Sequence, residues 1–454
     1  MFGYPLKQAN SMRVNIWWQM VSAFLFAAAM VQANDSPRLP ARLSVIDNGV
    51  IRIGVDLNRG GSITYIADSE KRINVVNAYD FGREIQQSYF SGPIPFGDSH
   101  HRGWKKWGWN PIAAGDVFGH PGRVLAHRRT SNLIYVKSEP LQWALNNVPG
   151  ECTFETWIEL KGSAAHVRCR LVNHRADHTF YPARHQELPA IYSIAKLHRL
   201  KTYDGDDPFT DGEMREIKNA GPPWTYWRAT ENWAALVDDQ NWGLGVYHPG
   251  AHQFVGGFSG DRNRGGPESP STGYMSPIHT EIMDHNIRYE YEYVLVLGHL
   301  KYIRAYVYQQ RRDAKPDFRF RSDRQHWHYV NAHDAGFPMR GQLQIRLASG
   351  GSQMISPLLF YSATEVPKLY IRAAFHSESR RGRVFWQRTS DRGFLEGQSV
   401  DFKAIADGEF HTYEIDLASN PTYRGKIARL RVDPVLHGGT GESVDVEFIS
   451  WKNE

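Results

Sequence analysis

The chain has 454 residues, of which 22% are charged, with 53 lysines and arginines against 48 aspartates and glutamates. A formal net charge of only +5, with basic residues scattered among acidic ones, argues against a nucleic-acid-binding surface. The length exceeds that of one ordinary domain, so we expect two or three hydrophobic cores.

The first 33 residues have the layout of a cleaved secretory signal. Lys7 and Arg13 form a basic start, an apolar run extends from Val21 to Val31, and the small-residue ending Val31-Gln32-Ala33 precedes Asn34. The run is shorter than the roughly 20 residues that cross a bilayer, and no later segment is comparable. The sequence therefore predicts an exported chain, secreted or periplasmic, without a membrane span. An uncleaved N-terminal anchor is the alternative.

Strand patterns dominate the rest of the sequence. They are short, β-branched or aromatic, and bounded by Gly, Asn, Asp or Pro, and they occur at Val50 to Val55, Phe154 to Leu160, His166 to Val172, Trp233 to Val237, Leu244 to Tyr247 and Tyr289 to Leu297. A weak helical pattern occurs only around Leu300 to Gln310. The predicted fold class is all-β, built as sandwiches.

The two cysteines lie on consecutive predicted strands. Cys152 and Cys169 flank the turn Lys161-Gly162-Ser163. An oxidising compartment permits a disulfide, but simple hairpin register does not place the two residues opposite each other. The pairing therefore stays open.

The composition and pattern of the sequence change near residues 311–316, and this change predicts a domain boundary. We expect a first domain at residues 34–312 and a second at residues 317–454. In the second, Asp407 to Leu417 and Ile427 to Pro434 look like the closing strands of jelly-roll modules attached to carbohydrate-active enzymes. An accessory sandwich that only packs on its neighbour is the alternative to sugar binding.

Three segments of the first domain resemble galactose-mutarotase-like sandwiches over residues 40–310. They are Asn48 to Asp56 with Gly60 to Ile66, then Gly82 to Gln87, and finally Val172 to Leu188. The resemblance implies a β-supersandwich in which His185 takes the place of the catalytic histidine. It also places Arg83 and Gln86 among the residues that hold the sugar.

Two departures from the mutarotase pattern point to a different reaction. Gln186-Glu187 follows the histidine where the family has an aromatic residue, and Glu281 is only a loose positional candidate for the mutarotase base. Glycoside hydrolases and polysaccharide lyases on the same scaffold fit better than simple epimerisation.

The loop from Asp98 to Asp116 is the richest stretch in aromatic and polar groups. Trp104, Trp107 and Trp109 lie within six residues and are followed by Asn110. Exposed aromatic faces stack on the C–H face of a pyranose while neighbouring polar groups bond its hydroxyls, so we expect Trp104, Trp107, Trp109, Asn110 and Asp116 to bind carbohydrate. A loop packed on the sandwich is the alternative.

No metal site is predicted from the sequence. The adjacent His100 and His101 have no third ligand at a fixed spacing. The sequence contains no Gly-rich phosphate loop, no nucleophile elbow and no nicotinamide fingerprint, so no cofactor is predicted.

Two glutamates are the predicted catalytic pair of a glycoside hydrolase. Glu187 lies beside His185, and Glu231 enters an apolar strand shortly after Trp227, where an unpaired carboxylate is costly to bury. Glycosidic hydrolysis usually needs two carboxyl groups, so we assign it to Glu187 and Glu231, with Trp227 in substrate binding. The alternative for Glu231 is an ion pair with an arginine. The substitutes for the pair are Glu84, Asp116 and Glu155.

Two other functions stay open. A polysaccharide lyase needs a Tyr or His base and an Arg or Asn that neutralises a uronate carboxyl, and the available groups are His185, Tyr192, Tyr203, Arg83 and Asn110. A glycan-binding protein would use the same aromatic loop without catalysis.

The signal layout predicts that the mature chain starts at Asn34 or within a few residues of it. Intact-mass spectrometry of the exported protein measures this directly. Recovery of an exported chain that retains residues 1–33 would contradict the prediction.

Overall fold

The computed structural model describes residues 41–439 and 441–453, so the predicted signal segment lies outside the described residues. Within them, the first part of the chain forms nineteen strands. These are β1 (Leu43–Asp47), β2 (Ile51–Asp56), β3 (Ser62–Asp68), β4 (Ile85–Ser88), β5 (Pro111–Ile112), β6 (Arg123–Arg129), β7 (Leu133–Glu139), β8 (Leu141–Gln142), β9 (Cys152–Lys161), β10 (Ala164–Asn173), β11 (Arg184–Ile194), β12 (Arg199–Thr202), β13 (Arg215–Ile217), β14 (Thr225–Arg228), β15 (Trp233–Val237), β16 (Trp242–Tyr247), β17 (Gln253–Ser259), β18 (Thr272–Glu281) and β19 (Arg288–His299).

These strands form two antiparallel sheets packed face to face. In the described residues a ten-stranded sheet has the order β1-β2-β3-β4-β11-β18-β17-β14, with β5 and β8 continuing from β4, and a nine-stranded sheet has the order β13-β12-β15-β16-β19-β10-β9-β7-β6. The largest apolar cluster contains residues of both sheets, such as Ile53 and Ile191 from the first and Ile158 and Leu295 from the second. The predicted all-β sandwich is confirmed.

The register of the β9–β10 hairpin keeps the two cysteines apart. Cys169 pairs with Thr156, and Cys152 pairs with Asn173. The two thiols are therefore not opposite each other, and both are buried and form no disulfide.

Strand β11 is covered on both faces, and this positions the candidate site. Its side chains Leu188 and Ile191 are fully buried in the core between the two sheets. The register shifts between Glu187 and Ile191, where a β-bulge interrupts the pairing with β18. A bulge re-aims the side chains around it, and Ala190 joins Tyr192 in an apolar cluster outside the main core.

The rest of the chain forms one helix and a second sandwich. The helix α1 (Leu300–Gln309), the only α-helix in the described part of the chain, confirms the weak helical pattern. The strands that follow are β20 (Asp317–Arg319), β21 (His328–Val330), β22 (Ala332–Asp334), β23 (Leu343–Leu347), β24 (Gln353–Ile355), β25 (Tyr361–Ser362), β26 (Lys368–His376), β27 (Arg381–Arg388), β28 (Ser399–Lys403), β29 (His411–Asp416), β30 (Lys426–Asp433) and β31 (Ser443–Ser450).

In the described residues these later strands form two six-stranded antiparallel sheets. One has the order β22-β23-β31-β26-β29 with β20 beside β31, and the other has the order β21-β24-β30-β27-β28 with β25 beside β30. A second apolar cluster lies between them and includes Trp327, Trp386 and Phe375. Each pair of sheets thus has its own core, while independent folding of residues 34–312 and 317–454 stays a prediction.

The two sandwiches contact each other closely. Ile282, which follows β18, belongs to the core of the second sandwich. Arg324 forms buried ion pairs with Asp284 at 2.6 Å and with Asp334 at 2.5 Å. No helix among the described residues is long and apolar enough to cross a membrane.

Candidate functional site

A cleft of about 550 Å³ opens on the face of the ten-stranded sheet that points away from the nine-stranded sheet. Six predicted site residues line it: Arg83, Gln86, Trp104, Trp107, Asn110 and Glu187. It is also lined by Tyr192, named above as a candidate lyase base, and by five residues to which the sequence assigned no catalytic or substrate-binding role, namely Tyr79, Asp80, Phe90, Trp143 and Trp224.

One wall of the cleft is aromatic and comes from the predicted tryptophan loop. The ring of Trp104 meets those of Trp107 and Trp143 edge-on, with centroids 4.7 and 5.6 Å apart. The ring centroids of Phe90 and Trp107 lie 6.0 Å apart in an edge-on arrangement. The indole N–H of Trp107 donates to the side-chain oxygen of Asn110 at 3.0 Å, which fixes the orientation of that ring.

The opposite wall is a second aromatic group. Tyr274 lies 4.7 Å from Tyr192, its partner across the β11–β18 ladder, and 5.1 Å from Trp224. Tyr192 and Trp224 line the cleft together with the tryptophans of the first wall, and aromatic lining of this kind suits the apolar face of a sugar.

Glu187 lies on strand β11, paired in register with Ser88 and Ile278, and is 8% exposed. Burial raises the pKa of its carboxyl to about 7, while the nearby Tyr274 hydroxyl pulls the pKa the other way. Catalytic acids and bases are commonly groups of this kind, which lie buried in a cleft and have a pKa near neutral pH.

A polar group closes one end of the cleft. The Nη1 atom of Arg83 donates to the carbonyl oxygens of Ser269 at 3.1 Å and Pro270 at 2.9 Å, and its Nε lies 3.4 Å from a carboxylate oxygen of Asp80. Burial and Glu187 raise the pKa of Tyr192, and Arg83 lowers it. Tyr192 is thus close enough to Glu187 and Arg83 to respond to both charges.

His185 lies on the same strand face as Glu187, two residues earlier, but it does not line the cleft. Its ring lies 5.5 Å from that of Tyr226, which is 39% exposed. Burial, assisted by the positive charge of Arg429, lowers the pKa of His185 to about 4, so the imidazole is neutral at pH 7.

A basic group adjoins His185 where the second sandwich meets β14. Burial and Arg228 lower the pKa of Arg429 to about 10, and burial followed by Arg429 lowers the pKa of His328 to about 4. Within the described residues the Nε atoms of both arginines and the Nδ1 of His328 are buried without a hydrogen-bond partner. We call Arg228, Arg429 and His328 the basic cluster.

Two predicted sugar ligands line the cleft but are engaged within the protein. The amide of Gln86 donates to the carbonyl oxygens of Phe81 and Arg83, and its oxygen accepts the N–H of Ala114. The amide nitrogen of Asn110 donates to the carbonyl oxygen of Tyr89 at 2.8 Å. Their hydrogen bonds shape the cleft, so the prediction that they bind sugar directly finds no support in this geometry.

Three other predicted sugar ligands lie elsewhere. Trp109 is fully buried in the main core, and Trp227 packs on Phe254 with ring centroids 5.9 Å apart. The carboxylate of Asp116 accepts the backbone N–H groups of Phe118 and Asn147 and so holds its own loop. None of the three lines the cleft, and their side chains are used in packing and turn formation, so the structure does not place them where the predicted substrate binding needs them.

Glu231 does not face Glu187, so the predicted catalytic pair is not formed. It precedes β15 of the nine-stranded sheet, is fully buried, and accepts two hydrogen bonds from the guanidinium of Arg304 at 2.8 and 2.9 Å. The indole N–H of Trp233 donates a further bond at 2.9 Å. Despite its burial, these donors lower the pKa of Glu231. The alternative, an ion pair with an arginine, is correct.

The substitute carboxylates also lie outside the cleft. Glu84 is fully buried against Arg59 at 2.7 Å, and burial raises its pKa to about 8. Glu155 pairs with Arg170 at 2.8 Å on the nine-stranded sheet. Tyr203, a possible lyase base, lies under Arg304, and its hydroxyl donates to the carbonyl oxygen of Asp207.

The aromatic and acidic residues missed from the sequence carry weak local signals. Trp143 is an isolated aromatic, Phe90 follows only Tyr89, and Asp80 lies in a turn before the Gly82-Arg83 element. The clustering of tryptophans marked only one wall of the cleft. The other wall is assembled by strand pairing between β11 and β18, which no local pattern shows.

Solved structures similar to this chain include galactose-mutarotase-like proteins, as the sequence predicted. A galactose mutarotase related enzyme from Lactobacillus acidophilus is 9% identical, with 56% of this chain and 97% of that chain covered and a TM-score of 0.35. A galactose mutarotase-like protein from Lactobacillus casei is 12% identical, covers 56% and 100%, and has a TM-score of 0.33.

A 4-alpha-glucanotransferase from Thermococcus litoralis is 14% identical, covers 58% of this chain and 40% of that chain, and has a TM-score of 0.31. A comparison with protein-family models and one with curated proteins gave no match.

Replacing Glu231 with alanine should destabilise the protein, because it leaves the guanidinium of Arg304 buried without its partner. The expected loss is about 3–5 kcal/mol in the free energy of unfolding, measured by chemical denaturation. The exposed Glu213→Ala serves as the control, with an expected change within about 0.5 kcal/mol. A Glu231→Ala protein of unchanged stability would contradict the structural role assigned here.

Proposed function

We propose that this chain is an exported carbohydrate-active enzyme that cleaves glycosidic bonds, and that hydrolysis is its first candidate reaction. The observation that supports this most directly is the Glu187 carboxyl, which is buried between two aromatic walls and has a pKa raised to about 7. The export part of the proposal rests on the signal layout of residues 1–33.

Glu187 acts as the general acid in this proposal. A carboxyl that keeps its proton near neutral pH can donate it to the departing glycosidic oxygen, so the sugar leaves as an alcohol.

Asp80 is the second carboxylate of the proposed hydrolase. It lines the same cleft, and Arg83 lies 3.4 Å from it. A carboxylate in this position would activate water or attack the sugar carbon, which is the second requirement of hydrolysis. Asp80 therefore replaces Glu231 in the catalytic pair.

The aromatic walls supply substrate binding. Trp104 and Trp107 on one side and Trp224 on the other leave a gap of the kind that a pyranose ring fills. We expect these three side chains to contribute affinity without taking part in proton transfer.

Elimination is the second candidate reaction, and the basic cluster favours it. Arg228 and Arg429 could neutralise the carboxylate of a uronate sugar next to the neutral His185, which would then take the proton beside that carboxylate. The glycosidic bond breaks as the carbon–carbon double bond forms, and the departing oxygen must gain a proton. Tyr226 lies within reach of this group as a donor.

A panel of neutral and acidic glycans incubated with the mature chain distinguishes the possibilities. Hydrolysis releases reducing ends without ultraviolet absorbance, whereas elimination releases an unsaturated sugar that absorbs. Reducing ends alone are the expected result. Absorbing products would assign the chain to the lyases, and binding without any product would identify a glycan-binding protein and reject the enzyme proposal.

Replacing Glu187 with glutamine should lower kcat on the cleaved glycan by about 10²- to 10⁴-fold, because the amide cannot donate the proton. The matched control is Glu155→Gln, which changes a partly buried glutamate on the other sheet. In the wild type the acid is protonated below its pKa, so kcat/KM should fall as pH rises above about 7. A Glu187→Gln enzyme with wild-type kcat would remove Glu187 from the mechanism.

A further inference from the structure

A second cavity, of about 750 Å³, lies at the junction of the two sandwiches and is separate from the aromatic cleft. Glu281, at the end of β18, and His326, in the loop before β21, both line it. The two residues belong to different sandwiches, so this cavity exists only because the sandwiches are packed together.

Glu281 and His326 at the cavity wall and the neighbouring His279 point their donor atoms at one place. The Nδ1 atoms of His279 and His326 are 2.9 Å apart, and the Nδ1 of His279 lies 3.6 Å from Oε1 of Glu281. The same carboxylate oxygen contacts Nδ1 of His326. We call His279, Glu281 and His326 the triad.

The backbone brings the triad together in two ways. His279 and Glu281 are two residues apart on β18, so strand alternation places them on one face. His326 has a left-handed backbone conformation, with φ of 67°, and the neighbouring Arg324 is held by ion pairs to Asp284 and Asp334. The loop that delivers the third side chain is therefore anchored to the first sandwich.

Further groups surround the triad. The hydroxyl of Tyr289 donates to Oε1 of Glu281 at 3.0 Å. The ring of His248 lies 4.8 Å from that of His279. The Nε2 atoms of these two histidines are buried and have no hydrogen-bond partner in the described part of the chain. Nε2 of His279 is not the atom that faces the triad, so it stays available for a separate hydrogen bond when Nδ1 binds an ion.

We propose that His279, Glu281 and His326 bind one divalent transition-metal ion, with Zn²⁺ as the preferred ion. Zinc–nitrogen bonds of 2.0–2.1 Å in tetrahedral geometry separate neighbouring ligand atoms by roughly 3.3 Å. Two of the three triad distances, 2.9 and 3.6 Å, bracket this separation, and the third, between Oε1 of Glu281 and Nδ1 of His326, is shorter, so an ion would push these two atoms apart. Two imidazoles and one carboxylate are a ligand set that zinc and other first-row transition metals share.

An ion bound by the triad would connect the two sandwiches. Two ligands come from the first sandwich and one from the second, so the bound metal joins the sandwiches across the cavity. Because three protein ligands leave a tetrahedral ion one open position, and two of these ligands line the cavity, a water molecule or small ligand in the cavity can complete the coordination.

The test uses the full mature chain, stripped with a chelator and dialysed against Zn²⁺. Elemental analysis after gel filtration should find about one zinc per chain, and competition with a chromophoric chelator should give the affinity. Adding the ion to the stripped protein should raise its thermal unfolding temperature. The variants His326→Gln and His279→Gln should weaken zinc binding by at least about 100-fold, because each removes one of three ligands.

Two further variants separate metal binding from a general loss of structure. His252→Gln alters a buried histidine of the same cavity wall outside the triad and should keep the zinc. Tyr289→Phe leaves all three ligands in place and should weaken binding by about 10- to 100-fold, because it removes a hydrogen bond to a ligand. Stripped wild type that takes up no zinc, or triad variants that bind it as the wild type does, would overturn the proposal. The triad would then be only an ion pair between Glu281 and His326.

Discussion

The structure depends on a strand that is covered on both faces. Strand β11 sends Leu188 and Ile191 into the core between the two sheets, and strand alternation places Glu187 on the face opposite Leu188. On that side the strand meets aromatic side chains in place of water. The raised pKa of Glu187 follows from this double covering, because a carboxyl at the surface of the sheet would be hydrated and ionised at neutral pH.

The second sandwich extends the covered face. Burial lowers the pKa of His185 on β11, and the charge of Arg429 on β30 lowers it further, so a residue of the second sandwich contributes to the protonation state of a residue of the first. The nearby contact between Glu281 and His326 joins the two units at the end of β18. The interface therefore does more than hold two cores together, since it determines the electrostatics along one edge of the ten-stranded sheet.

The comparison of Glu187 with Glu231 shows what the sequence can and cannot predict. The local pattern placed Glu231 at the start of an apolar strand and left an ion pair or a catalytic role open, and the structure shows that both glutamates are buried. It could not show that Glu231 meets Arg304, which lies 73 residues later on the helix. Strand positions and fold class follow from local periodicity, whereas the role of a buried acid follows from a tertiary partner that periodicity does not encode.

The tryptophan loop shows the same limit of local sequence patterns over a shorter stretch of chain. Trp104 and Trp107 face the cleft, while Trp109, only two residues beyond Trp107, is buried in the main core beside Arg175. Between them Gly108 passes so close to the backbone of Ser91 that an added side-chain carbon would lie 3.0 Å from its carbonyl oxygen. The loop thus enters the sheet at Gly108, and the change of environment from cleft to core occurs there. The clustering of tryptophans in the sequence predicted that this loop forms a binding wall. The position at which the loop enters the sheet determines which of the tryptophan rings lie in that wall.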